Sequence, residues 1–183
     1  MSVVPSVTRE ALRAELAADL GRGGYVLRAG GAPHERRWFE KALVLSRPGL
    51  LQRAAALMAA LLPPGCERLA VTSVPSAALG AALAQATGVP LLLGSTRDDG
   101  TIAFEGEAYP GMRTVLLEDV VCTGGWAARG AAALREQGAE LSAVVALLDR
   151  DAGAATRLAD AGVPLRALFG ERELLELAHV PAS

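Results

Sequence analysis

The chain has 183 residues, 51% of them hydrophobic and 21% charged, with a net charge of −2; one compact domain with a substantial core fits, and a disordered tail does not. Acids and bases are mixed along it, with no basic stripe interleaved with aromatics, so no nucleic acid partner is expected. No apolar run approaches the roughly 18 residues of a membrane-spanning helix, and the start, Met-Ser-Val-Val-Pro, lacks the basic and apolar blocks of a secretory signal, so the expected home is the cytoplasm.

Thr8 is the expected N-cap of a helix over 9–20, which places Leu12, Leu16 and Leu20 on one face and ends at Gly21 and Gly23-Gly24. A short apolar stretch at 25–27 and a polar turn at 30–33 follow. Pro48 opens a strong helix through Leu62, stopped by Pro63-Pro64-Gly65. From there strands and helices alternate: strand 69–72, helix 76–87, strand 90–93, a Gly- and Asp-rich loop 94–111, strand 114–117, helix 124–137, strand 141–148, helix 152–161, strand 164–169 and helix 171–177. Strands that are apolar throughout, alternating with amphipathic helices, predict an α/β fold: an open, mostly parallel, twisted sheet with helices on both faces. Residues 1–47 lack this rhythm and are expected to form an N-terminal helix and small flap, leaving 48–183 as the α/β core. Cys66 and Cys122 stand far apart without a CxxC pairing, which speaks against a disulfide framework or a zinc site.

The most informative stretch is Thr114-Val-Leu-Leu-Glu-Asp-Val-Val-Cys-Thr-Gly-Gly-Trp-Ala-Ala-Arg129. An apolar strand runs into two adjacent carboxylates, Glu118 and Asp119, and then into a turn with Thr123, Gly124 and Gly125 that opens a helix. In an open α/β sheet, ligands sit beyond the carboxyl ends of the strands. Glycines let the backbone approach an anion, and the helix start presents unpaired N–H groups to it. The vicinal hydroxyls of a sugar are donors that two neighbouring acids suit, so the turn reads as a site for a sugar phosphate. The bland alternative is a strand-to-helix turn whose acids cap the helix.

At these residues the chain resembles the type I phosphoribosyltransferases, and among them the orotate phosphoribosyltransferases. The resemblance covers about residues 27–175. It rests also on Leu147-Leu-Asp-Arg150, on Arg36-Arg-Trp-Phe-Glu-Lys41 followed by Pro48, and on Gly111-Met-Arg-Thr-Val. It implies transfer of ribose 5-phosphate from phosphoribosyl pyrophosphate to a nucleobase nitrogen, orotate for this branch, with Mg2+ carried on the pyrophosphate, as a step of nucleotide biosynthesis. Glu118 and Asp119 would hold the ribose hydroxyls, and the segment Val120, Val121, Cys122, Thr123, Gly124, Gly125 and Trp126 would hold the 5-phosphate. Asp119 and Arg97 are the residues it places nearest the chemistry. Relatives of this type are commonly dimers, so a homodimer is expected.

At the base end, the resemblance points to Arg150, whose guanidinium could grip a planar carboxylate with two hydrogen bonds. The alternative is an ion pair with Asp149 or Asp151. Arg28 falls where the family carries a Lys, and Phe39 and Lys41 fall in a segment that the family folds over the base; Trp38 and Phe39 serve equally as core residues at a helix start. His34, beside Pro33, reads as solvated.

Three departures from the family pattern stand out. The segment 94–111, where the family places basic residues for the leaving pyrophosphate, has one base, Arg97, against Asp98, Asp99, Glu105 and Glu107, a net charge of −3. The turn after strand 69–72 reads Ser73-Val-Pro-Ser-Ala without the usual glycines, though Ser73 and Ser76 remain on the pyrophosphate side and Ser76 could cap the next helix. Cys122 and Trp126 replace hydroxyl residues; Cys122 is either a thiol activated by the helix start or a plain buried cysteine, and Trp126 could pack on the flap or a partner chain. These departures leave two further readings open: a regulatory protein that binds a nucleoside monophosphate or phosphoribosyl pyrophosphate without efficient transfer, and a purine phosphoribosyltransferase.

Overall fold

A computed structural model of the protein describes residues 6–24, 26–27 and 38–179. In chain order its elements are α1 (Ser6–Arg22), β1 (Val26–Leu27), β2 (Trp38–Phe39), α2 (Lys41–Leu45), α3 (Pro48–Met58) with a 3-10 turn over Ala59–Leu61, β3 (Arg68–Val71), α4 (Val74–Thr87), β4 (Leu91–Thr96), β5 (Ile102–Glu105), β6 (Arg113–Val121), α5 (Gly125–Glu136), β7 (Glu140–Asp149), α6 (Ala154–Asp160), β8 (Leu165–Gly170) and α7 (Glu171–Leu177). The two longest apolar runs, β6 and β7, lie side by side in the middle of a six-stranded sheet ordered β5-β4-β3-β6-β7-β8. Every neighbouring pair is parallel except β4 and β5. This is the open α/β sheet that the sequence predicts.

Alternate residues along the strands serve the two faces. Val71, Val115, Leu117, Val145 and Leu147 join one cluster with Leu16 and Leu20 of α1, Met58 of α3, Leu83 of α4 and Leu174 of α7. Leu116 and Val144 join a second cluster with Leu134 of α5 and Leu158 of α6. Helix α1 therefore belongs to the same core as the sheet, through Leu16, Ala17 and Leu20, all nearly fully buried. Arg13 pins it further by donating to the Leu168 carbonyl and pairing with Glu173 at 2.8 Å.

Several local expectations are corrected. Thr8 lies inside α1, which starts at Ser6 and runs past Gly21 to Arg22. The segment 94–111 is not a loop throughout: β4 continues to Thr96 and β5 pairs back on it, Thr96 opposite Ile102 and Leu93 opposite Glu105. Ile102 and Ala103 are buried, and Phe104 packs on the second cluster, which is why this short run folds back as a strand. Strand β6 is also longer than expected, because its pairing with β7 continues through Val120 opposite Leu148 and Val121 opposite Asp149. Glu118 and Asp119 are thus strand residues and not part of a turn. Among the described residues, no helix is long and apolar enough to cross a membrane.

Candidate functional site

The site is built at the carboxyl ends of β3, β6 and β7. Ser73 follows β3 and is the N-cap of α4, its hydroxyl accepting the Ser76 N–H at 3.3 Å. This corrects the expectation that Ser76 caps the helix. Ser76 sits one turn in and fully buried, with its hydroxyl turned to the two acids of β6. It accepts the Asp119 N–H at 3.3 Å and lies 3.3 Å from Asp119 Oδ1 and 3.4 Å from Glu118 Oε2; having one proton, it donates to one of them at a time.

Glu118 and Asp119 are 3% and 2% exposed. Ser76 is shared by the two acids, and the rest of their partners differ. Glu118 Oε1 accepts from the Thr72 hydroxyl at 2.9 Å. Thr72 in turn accepts the Trp126 indole N–H at 2.8 Å. Asp119 Oδ2 lies 2.8 Å from the Lys41 ammonium, brought in by α2. Burial pushes the Glu118 carboxyl up to about 7 and the Asp119 charge adds to the rise, while the Thr72 and Ser76 hydroxyls and the Lys41 charge oppose it.

Beside these acids opens a pocket of about 210 Å3, walled by Glu118 and residues 120–127. Asp119 is not part of its wall, so of the two acids only Glu118 faces the space left for a ligand. Val121 is buried in the strand, while Cys122 and Thr123 are exposed at the rim; the expectation of a buried Cys122 is corrected. Gly124 is the N-cap of α5 with φ 73°, a left-handed conformation that favours glycine. The first N–H groups of α5 face the pocket where a negative group would be stabilised. Trp126, 39% exposed, closes the side toward β3. Its ring is covered by Arg129, whose guanidinium carbon stands 4.9 Å from the ring centroid and which donates to the Gly100 carbonyl at the tip of the β4–β5 hairpin. Within the chain, Trp126 is held by Thr72 and Arg129, and the rest of its ring stays exposed.

The other expected residues are distributed around this centre. Arg97 is exposed in the hairpin turn, where its N–H donates to the Thr101 carbonyl at 2.8 Å. Asp99 is tied to the Thr101 hydroxyl and N–H, and Glu107 pairs with Arg68 at 3.3 Å. Arg150 follows β7, and its guanidinium is held by Glu171 in the first turn of α7, Nε to Oε2 at 2.7 Å. Asp151, with φ 53°, accepts the Arg172 N–H at 3.4 Å, so the whole turn after β7 is fastened to α7. The ion pair open to Arg150 in the sequence is made with Glu171 and not with Asp149 or Asp151. Phe39 is buried in the core, 7% exposed. Lys41 is drawn to Asp119. Arg28 and His34 lie outside the described residues. Thr72 and Arg129 escaped the sequence reading; a Thr closing an otherwise apolar strand was the available sign for the first, and no local pattern marks the second.

No family model matches the chain. The orotate phosphoribosyltransferase of a Nocardioides species is 34% identical to it over 171 residues, 89% of this chain and 94% of that one. In solved structures, the orotate phosphoribosyltransferase from Aeropyrum pernix superposes with a TM-score of 0.80 at 24% identity, covering 91% of this chain and 99% of that one. The Mycobacterium tuberculosis orotate phosphoribosyltransferase in complex with phosphoribosyl pyrophosphate gives 0.72 at 24% identity, covering 89% and 98%. The identity to the Nocardioides enzyme over most of both chains shows that the chain belongs to the orotate phosphoribosyltransferase family of type I phosphoribosyltransferases.

Proposed function

We propose that the protein transfers ribose 5-phosphate from phosphoribosyl pyrophosphate to a ring nitrogen of orotate. The observation that carries this reading is the pocket formed by Glu118 and residues 120–127, where a buried carboxylate meets the start of α5. The helix start suits the 5-phosphate and Glu118 suits a ribose hydroxyl, which is a hydrogen-bond donor. As the bond from the anomeric carbon to pyrophosphate breaks, positive charge grows on the sugar, and the Glu118 carboxylate would stabilise it. Mg2+ would neutralise the departing pyrophosphate. We assign the ion to the phosphate oxygens of the substrate, since Mg2+ keeps several waters and is bound largely through substrate phosphates. Arg150, at the end of β7, is the candidate for the orotate carboxylate, exchanging Glu171 for the ligand or sharing its donors between them. A homodimer, carried over from the family, belongs to the same proposal.

Pyrophosphate and orotidine monophosphate are the expected products with phosphoribosyl pyrophosphate, Mg2+ and orotate. Arg150→Ala should lower kcat/KM for orotate by about 10- to 100-fold, the effect of losing a charged hydrogen bond. Purine turnover untouched by that change would move the assignment to a purine base. Absence of turnover with every nucleobase would overturn transfer.

One specific observation favours a second reading, binding without efficient transfer. The hairpin 94–111 offers a single base among four acids, and Thr72, Ser76 and Lys41 already occupy the acid pair. Calorimetry would then show tight binding of a nucleoside 5-monophosphate with no pyrophosphate released.

A further inference from the structure

The turn after β6 carries Cys122 and Trp126, neither of which offers a hydroxyl, and a cation from another element stands beside it. Helix α6 begins at Ala154, directly against Gly124: a Cβ added at Gly124 would stand 3.1 Å from Ala154 Cα and 3.3 Å from its Cβ. That contact fixes where α6 lies on the turn. Three residues later, on the same face of the helix, comes Arg157. Its Nη1 would stand 3.8 Å from a Cβ at Gly125, the same distance as Thr123 Oγ1. Gly125 lines the pocket and, having no side chain, leaves the space between that guanidinium and the pocket open. Arg157 is exposed, and no carboxylate among the described residues forms an ion pair with it.

We propose that Arg157 is a further ligand-binding residue of this pocket, reaching past Gly125 from α6 to the phosphate end of the ligand. The inference rests on the ribose-phosphate reading and names a contact beyond it. The N–H groups of α5 provide partial positive charge to a phosphate, and Arg157 adds a full charge with paired donors matched to phosphate oxygens. It thereby supplies a charge-assisted contact at a turn whose residues 122 and 126 carry no hydroxyl.

The test is calorimetric titration of ribose 5-phosphate, and separately of inorganic phosphate, into the wild type, Arg157→Ala, Arg157→Lys and Arg22→Ala. The last removes the same charge from a solvent-exposed position on α1. Arg157→Ala is expected to weaken ribose 5-phosphate about tenfold and to flatten the salt dependence of binding. Arg157→Lys should keep part of the affinity, and Arg22→Ala should bind as the wild type does. Unchanged affinity and salt dependence in Arg157→Ala would overturn the assignment while leaving the pocket reading intact. An equal loss in Arg22→Ala would overturn it too, by showing a general effect of net charge. A wild type that binds neither probe would overturn the pocket reading and this inference with it.

Discussion

Lys41 and Asp119 meet across two elements, the ammonium 2.8 Å from Oδ2 of a carboxylate that is 3% exposed, and so the short helix α2 is attached to the central strand at the site itself. The contact is one-sided in burial, since Lys41 keeps 38% of its side chain in solvent. Removing the lysine strands a buried charge that, among the described residues, keeps only Ser76 beside it. Lys41→Met should therefore lower the unfolding free energy by about 1–3 kcal/mol, the range for orphaning a buried polar group. Asp119→Asn in the Lys41→Met background should recover part of that loss, as coupled neighbours do in a double-mutant cycle. Urea denaturation of the four proteins checks both statements, and a Lys41→Met variant as stable as the wild type would show the pair to be neutral.

Glu118 gives the protein a pH dependence of stability. Its carboxyl is raised from 4.5 to about 7 in the folded chain, chiefly by burial. A group that holds its proton more tightly when folded contributes stability that is fully present below pH 4.5 and lost as pH rises through 7. The difference is on the order of 3 kcal/mol. Glu118→Gln, which imitates the protonated acid, should flatten the decline between those pH values in chemical denaturation. A wild-type curve that rises across this window would contradict the raised carboxyl.

The acid pair shows what the sequence makes legible and what it hides. An apolar run followed by Glu118-Asp119 and Thr123-Gly-Gly marks a strand and a helix start, and both are present. That the acids lie inside the strand depends on β7 continuing beside them, a pairing with a segment more than twenty residues away. The β4–β5 hairpin is more legible: Asp99-Gly100 before an alternating Ile102-Ala-Phe-Glu run is a hairpin signal that the loop expected over 94–111 overlooks. The pairs Lys41 with Asp119 and Arg150 with Glu171 leave no trace in local pattern, because each joins elements that only the folded sheet brings together. Helix α2, of five residues, is too short for a helical period to register.

The hairpin tip offers a direct test of charge in the reaction. Asp98 is exposed beside Arg97 in a hairpin that Arg129 ties to α5, and its charge would repel the proposed substrate, which carries several negative charges. Asp98→Lys should raise kcat/KM for phosphoribosyl pyrophosphate by about three- to tenfold at low salt, with the gain shrinking as ionic strength rises. Because the side chain is exposed, the thermal midpoint should stay where it is. Steady-state rates at two salt concentrations check this; a gain independent of salt, or none, would show that the acidic tip does not act through long-range charge.

Gly124 joins the conformation of the phosphate turn to the seating of α6, and two substitutions separate these contributions. An L-residue at φ 73° costs about 1–2 kcal/mol wherever it occurs. Gly153, the N-cap of α6, has φ 92° with open space where a Cβ would go, so Gly153→Ala should lose about that much and no more. Gly124→Ala carries the same strain and in addition drives its Cβ to 3.1 Å from the Ala154 backbone, which cannot yield as a side-chain tip would. It should therefore cost more than Gly153→Ala in urea denaturation. Because the displaced helix carries Arg157 with it and the turn lines the pocket, Gly124→Ala should also weaken ribose 5-phosphate binding more than Gly153→Ala does. Equal stability losses in the two variants would mean that α6 moves aside freely. Equal binding would mean that the left-handed residue at 124 is a structural requirement of the turn, with no bearing on how the phosphate is held.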